Sequence, residues 1–89
     1  MIKVIFFSSS KCAVCLPLKE KLKRVVEDYG IEIEEINLEE KRDKAAKYMV
    51  FSVPTVIVEV DGKESGRWSG VFSVNEIETF LERIIGFIC

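Results

Sequence analysis

The sequence predicts an α/β fold in the order βαβαββα, a four-stranded mixed sheet flanked by helices on both faces. Three observations carry that expectation. Short β-branched runs alternate with helical apolar stripes. A strand, a helix and a second strand fit between Ile2 and Leu38, which implies a right-handed βαβ unit with parallel pairing. Asp61-Gly62, between two further strand-like runs, is a hairpin signal that adds an antiparallel half.

The run Ile2 to Phe7 reads as a buried strand and Ser8-Ser9-Ser10 as the turn after it. A stripe of Val14, Leu18, Leu22, Val25, Val26 and Tyr29 marks a helix that ends near Tyr29, with Gly30 as its C-cap residue. Pro17 falls within its first turns, where the missing N–H costs little. Ile31 to Leu38 is the second strand, with Ile31 and Ile33 on one face and, after a change of phase, Ile36 and Leu38 on the other. From Glu39 to about Val50 a charged segment with Ala45, Ala46, Tyr48 and Met49 predicts a short surface helix. Pro54 belongs at the start of the strand Val56 to Val60, because proline cannot donate to a ladder. Lys63 to Trp68 returns after the hairpin, with Gly66 and Gly70 interrupting or ending it. Ser73 and Glu76 form a capping box, and Phe72 and Ile77 a hydrophobic staple, for a last helix buried along Ile77, Phe80, Leu81, Ile84 and Ile88. The apolar tail Gly86 to Cys89 reads either as core packing or as a dimer contact.

With 89 residues, 48% of them hydrophobic, the chain builds one modest core, so residues 1–89 are expected to form a single domain. A net charge of -2 with interspersed lysines and glutamates argues against a nucleic-acid partner. The apolar N-terminal run contains Lys3 and is too short for a signal peptide or a membrane span, so no membrane partner and a cytosolic location are expected. Histidine is absent, which removes the commonest acid–base residue and a common metal ligand.

Chemistry is therefore sought in the three cysteines. Cys12 and Cys15 are placed at the N-terminal end of the first helix, where unpaired N–H groups and the helix dipole favour a thiolate. Their spacing brings Cys15 close enough to Cys12 to close a disulfide, in a ring too small to constrain the unfolded chain much. Redox use is the better reading than two buried hydrophobes, with Cys12 the expected thiolate. Lys11 either lowers the thiol pKa by its charge or is simply solvated. Cys89 is an incidental thiol or an intermolecular pairing partner. The serines lack a histidine to activate them and serve as turn residues.

With C-x-x-C at the first strand-to-helix turn and Val53-Pro54-Thr55 opening the third strand, the chain resembles the thioredoxin/glutaredoxin superfamily. The resemblance spans essentially the whole chain, including the spacing from Cys12 to Pro54, the Asp61-Gly62 hairpin and Gly70 before the last helix. It implies a thioredoxin-like fold and a thiol–disulfide oxidoreductase that reduces protein disulfides. In it Cys12 is the nucleophile, Cys15 the resolving thiol, and Pro54 a cis proline beside them. The Val53 backbone pairs with the bound polypeptide or glutathione, and Lys11 and Gly70 border the substrate. The implied cofactor is none beyond the redox-active Cys12–Cys15 disulfide, with no metal. The implied partners are disulfide-containing proteins and a thioredoxin-reductase-like or other upstream reductant, with the protein a monomer.

Departures from the pattern sharpen the reading. Lys11 stands where thioredoxins usually carry a tryptophan, and Phe6 where they bury an aspartate under the resolving cysteine. Glu35 stands where they carry a lysine, which makes it a candidate acceptor for the proton of Cys15. The segment Ser69 to Val74 lacks the Gly-Gly pair and acid with which glutaredoxins hold glutathione, so a glutaredoxin-sized thioredoxin is the better description. The alternatives are a glutathione-linked glutaredoxin, a metal or iron–sulfur module using the same cysteines, and a redox-regulated binding domain without turnover.

Overall fold

A computed structural model of the chain describes residues 1–88. Its elements are β1 (Ile2–Ser8), α1 (Cys15–Asp28), β2 (Glu32–Asn37), α2 (Arg42–Lys47), β3 (Thr55–Val60), β4 (Lys63–Ser69) and α3 (Val74–Ile88). Among the described residues the strands form one sheet in the order β2-β1-β3-β4. β1 pairs with β2 in parallel, and β3 pairs antiparallel with both β1 and β4.

β1 is apolar on both sides because it lies inside the sheet and is covered on both faces. Val4 and Phe6 join Val56 and Val58 of β3 beneath Cys15, Leu22 and Val26 of α1 and Ile77 and Leu81 of α3. Ile5 and Phe7 face the other way, into a smaller core with Ile36, Ala45, Val50 and Ile57 under α2. Each fully buried Leu or Ile here contributes about 1.5–3 kcal/mol relative to exposure. The expected change of phase in β2 is present: Ile33 packs against the first core and Ile36 lies in the second.

Helix ends follow local chemistry. α1 stops at Gly30, whose φ of 68° is open to glycine, and the Gly30 and Ile31 N–H groups return to the carbonyls of Glu27 and Val26. α3 starts with the Glu76 carboxylate accepting from the Ser73 N–H at 2.8 Å. α2 closes in the same backbone pattern as α1 but with Met49 in the left-handed position, at φ 57°. The Arg67 guanidinium of β4, ion-paired with Glu64, donates to the carbonyls of Tyr48 and Met49 and so neutralises that helix end.

Several expectations need correction. The first helix begins at Cys15, and Val14 is exposed instead of lying on the buried stripe. The cause is Pro17: a helix beginning earlier would need its N–H for the Ala13 carbonyl, so the first helical bond runs from Leu18 N–H to Val14 O. The second helix is shorter than Glu39 to Val50, and Ala46 and Met49 face solvent while Ala45 and Tyr48 pack inward. Gly66 interrupts its strand without ending it: it lies within β4 where the register with β3 shifts, against the edge-to-face pair of Trp68 and Phe80. The expected places of the Ile88 side chain and of Cys89 fall outside the described residues.

Candidate active site

The topology gathers the chemistry at one end of the sheet. β1 runs out at Ser8, and the chain then turns through Ser9 to Val14 before entering α1. Phe7 of β1 lies opposite Thr55 of β3, so the same antiparallel register carries Pro54 across from Ser8. Thr55 in turn lies opposite Ser69, the last residue of β4, which puts Gly70 at that end too.

Cys12 and Cys15 are joined by a disulfide, with sulfurs 2.10 Å and Cα atoms 5.4 Å apart. The two are unlike in environment. Cys15 is 3% exposed, held in the core under α1, whereas Cys12 is only half-buried and packs at that core's edge. Two tight turns produce this arrangement, from Cys12 N–H to Ser9 O at 3.1 Å and from Cys15 N–H to Cys12 O at 3.4 Å. Cys12 thus precedes α1 instead of lying in its first turn, the position expected from the sequence. It remains near the helix N-terminus, whose unpaired N–H groups favour negative charge.

Pro54 is buried and the Val53–Pro54 peptide bond is cis. Val53 is half-buried and packs against both cores. The Thr55 hydroxyl donates to the Ser52 carbonyl at 2.7 Å, and the Gly70 N–H donates to the Pro54 carbonyl at 3.2 Å. Gly70 is exposed and left-handed, at φ 77°. Around this end stand exposed apolar side chains: Val14, expected on the buried stripe, and Leu16 beside the cysteines, and Val71, fully open, beside Gly70.

Glu35 pairs with Phe6 across the parallel strands and so shares the sheet face on which Cys15 packs. Its carboxylate accepts from Lys19 Nζ at 3.0 Å and from the buried Ser8 hydroxyl at 2.9 Å. Partial burial pushes this carboxyl up, but Lys19 and Ser8 together outweigh it and hold it below the usual carboxylate value. Lys11 is exposed on the turn.

Sequence reasoning missed Glu39. Its carboxylate accepts from the hydroxyls of Ser9 and Ser10, each at 2.8 Å, and from the Ser10 N–H at 3.2 Å. The signal was the parallel register, which sets Ser8 beside Asn37 and carries the next residues of both strands toward each other. Among the described residues, no group of three or more Cys, Asp or Glu side chains gathers as a metal would need.

Comparison with known proteins agrees with this geometry. The thioredoxin domain family's sequence model matches residues 1–82. Mitochondrial thioredoxin of Bos taurus is 28% identical over 85 residues, covering 93% of this chain and 51% of that one, so the chain spans about half the length of that relative. The thioredoxin-like protein YdfQ of Bacillus subtilis is 27% identical over 81 residues, 90% of this chain and 72% of its own. In three dimensions the chain is similar to thioredoxin 1 of Thermosipho africanus, with a TM-score of 0.92, 32% identity and 96% of each chain covered. A matched model over nearly the full length, on a fold that sets a Cys12–Cys15 disulfide at the mouth of α1, makes this chain a member of the thioredoxin domain family.

Proposed function

We propose that the protein is a thiol–disulfide oxidoreductase that reduces protein disulfides. The observation that carries this reading is the unequal exposure of two bonded sulfurs, Cys12 at the surface and Cys15 in the core, at the sheet end that also holds Val53 and Pro54.

In the reduced protein the Cys12 thiolate attacks one sulfur of a substrate disulfide, which breaks the substrate S–S bond and releases its other sulfur as a thiolate. A mixed disulfide joins Cys12 to the substrate. Cys15 then loses its proton, its sulfur attacks Cys12 Sγ, and the second substrate sulfur departs with the bonding electron pair. The protein is left with the Cys12–Cys15 disulfide, and an upstream dithiol reductant of the thioredoxin-reductase kind returns two electrons. Val53 offers its backbone to the extended substrate chain, Lys11 and Gly70 border it, and Val14, Leu16 and Val71 supply apolar contact. Glu35, on the sheet face that Cys15 packs against, is the candidate acceptor of the Cys15 proton, and Lys19 and Ser8, which hold its carboxyl below the usual value, make it a weaker base for that task. No cofactor beyond the disulfide enters this cycle, and it suits a reducing compartment such as the cytosol.

Support for the dithiol cycle over a glutathione-linked one comes from the matched family and from Ser69-Gly70-Val71, which lacks a glycine pair. Insulin reduction driven by dithiothreitol tests the proposal. Cys12→Ser should abolish it, Cys15→Ser should accumulate a mixed disulfide, and retained turnover in Cys12→Ser would refute it.

A further inference from the structure

The turn that carries Cys12 is not held by its own residues alone. Glu39, just beyond β2, reaches across with one carboxylate that takes the Ser9 hydroxyl at 2.8 Å, the Ser10 hydroxyl at 2.8 and 2.9 Å through its two oxygens, and the Ser10 N–H at 3.2 Å. Glu39 is itself fixed, because Asn37 Oδ1 accepts its N–H at 2.8 Å and that of Glu40 at 3.3 Å. The Leu38 N–H donates to the Ser8 carbonyl at 2.9 Å, so the two chain exits are stitched on both sides of the carboxylate.

From Ser9 the connection continues to the sulfur-bearing residue. Its hydroxyl oxygen accepts the Lys11 N–H at 3.2 Å, and its carbonyl accepts the Cys12 N–H at 3.1 Å. A continuous ladder therefore runs from the Glu39 carboxylate through Ser9 to the backbone of the attacking cysteine. Glu39 also carries charge. The serine hydroxyls, with a contribution from the Lys11 cation, hold its carboxyl below the usual range, so it is ionised beside the turn at neutral pH. The ionisable groups around the turn are Lys11 on it, Glu39 on the β2–α2 connection, and the Lys19–Glu35 pair that joins α1 to β2.

We infer that Glu39 is a positioning residue for Cys12, which fixes the Ser9–Cys12 turn through its hydrogen bonds and sets a negative charge beside that turn. The inference rests on the reading of Cys12 as the nucleophile. Its two parts separate by substitution: Glu39→Gln keeps a carbonyl oxygen for the serines but removes the charge, whereas Ser9→Ala cuts the ladder and leaves the charge.

The test uses the full reduced chain. Alkylation by iodoacetamide is followed at Cys12 by peptide mass across pH, and the rate of attack on 5,5′-dithiobis(2-nitrobenzoate) is measured above the resulting midpoint. In Glu39→Gln the carboxylate charge beside the turn is gone, the thiolate gains, and the midpoint falls by about half a pH unit, the size expected of one exposed charge. In Ser9→Ala the midpoint stays and the attack slows by about threefold or more through lost orientation. An unchanged midpoint in Glu39→Gln, or an unchanged rate in Ser9→Ala, would overturn the inference. Both readouts are independent of insulin reduction: a wild-type chain that leaves insulin intact, with variants that show these shifts, refutes the proposed function and keeps Glu39 in its role.

Discussion

Gly70 hands its backbone N–H to the carbonyl of Pro54 across 3.2 Å, and it does so from a left-handed conformation at φ 77°. The bond ties the exit of β4 to the entrance of β3, on the side where a substrate chain would lie. No atom crowds the position where a Cβ would stand, so the constraint is conformational and not steric contact. Gly70→Ala should therefore cost about 1–2 kcal/mol of stability, measured by urea unfolding. It should also raise the KM for insulin more than it lowers kcat, and an unchanged midpoint of unfolding would remove the argument.

Gly66 poses the opposite case. A Cβ there would stand 2.8 Å from the Trp68 ring and 2.9 Å from that of Phe80, which meet edge to face at 5.1 Å between centroids. Neither ring has a flexible end to yield, so both must shift together within the β4–α3 contact. Gly66→Ala should destabilise by about 1–3 kcal/mol, the usual result of overpacking, with tryptophan fluorescence altered in the folded protein. A variant as stable as wild type, with the same emission, would show that the rings move freely.

Acid stability should be governed by Glu34. Its carboxylate meets Lys3 at 2.6 Å and Lys44 at 2.5 Å, and these two partners, Lys3 first, hold its pKa at about 2, down from 4.5. A carboxyl with a depressed folded-state value contributes fully above its unfolded value and loses that contribution as pH falls. The window is thus from about 4.5 down to about 2. Because both lysines are partly open to solvent, the contribution is discounted to on the order of 1–2 kcal/mol. Glu34→Gln should lower Tm at pH 7 and flatten its fall between these pH values, and a variant that melts in parallel with wild type throughout would contradict the assignment.

The fold was legible where one local signal and one global need agreed. β1 is apolar on every residue from Val4 to Phe7 because it is covered twice, and the Ser73/Glu76 box announces α3 before any packing is known. The site was legible in Cys12, Cys15 and Pro54, whose positions are set by element ends. Less visible were features that depend on a missing or a distant atom. The absent Pro17 N–H delays α1 and moves Cys12 ahead of it, although the residue is plain in the sequence. Glu39 looked like one more charge in a solvated run, since its meaning comes from serines 29 and 30 positions away that only the parallel register brings near. Met49 sits in a glycine-like conformation with no side-chain clue, because the Arg67 contacts that hold it come from another strand.

The difference in shelter between the two sulfurs bears on survival as much as on turnover. Peroxide that reaches the half-open Cys12 converts its thiolate to a sulfenic acid, and Cys15, out of the oxidant's reach yet within bonding distance, condenses with it and expels water. Limited peroxide should accordingly drive the reduced protein to its disulfide, while the Cys15→Ser variant proceeds to sulfinic and sulfonic acids at Cys12, a contrast that intact-protein mass spectrometry reads directly. Of the two bonded sulfurs, the one more open to injury thus has its repair three residues away.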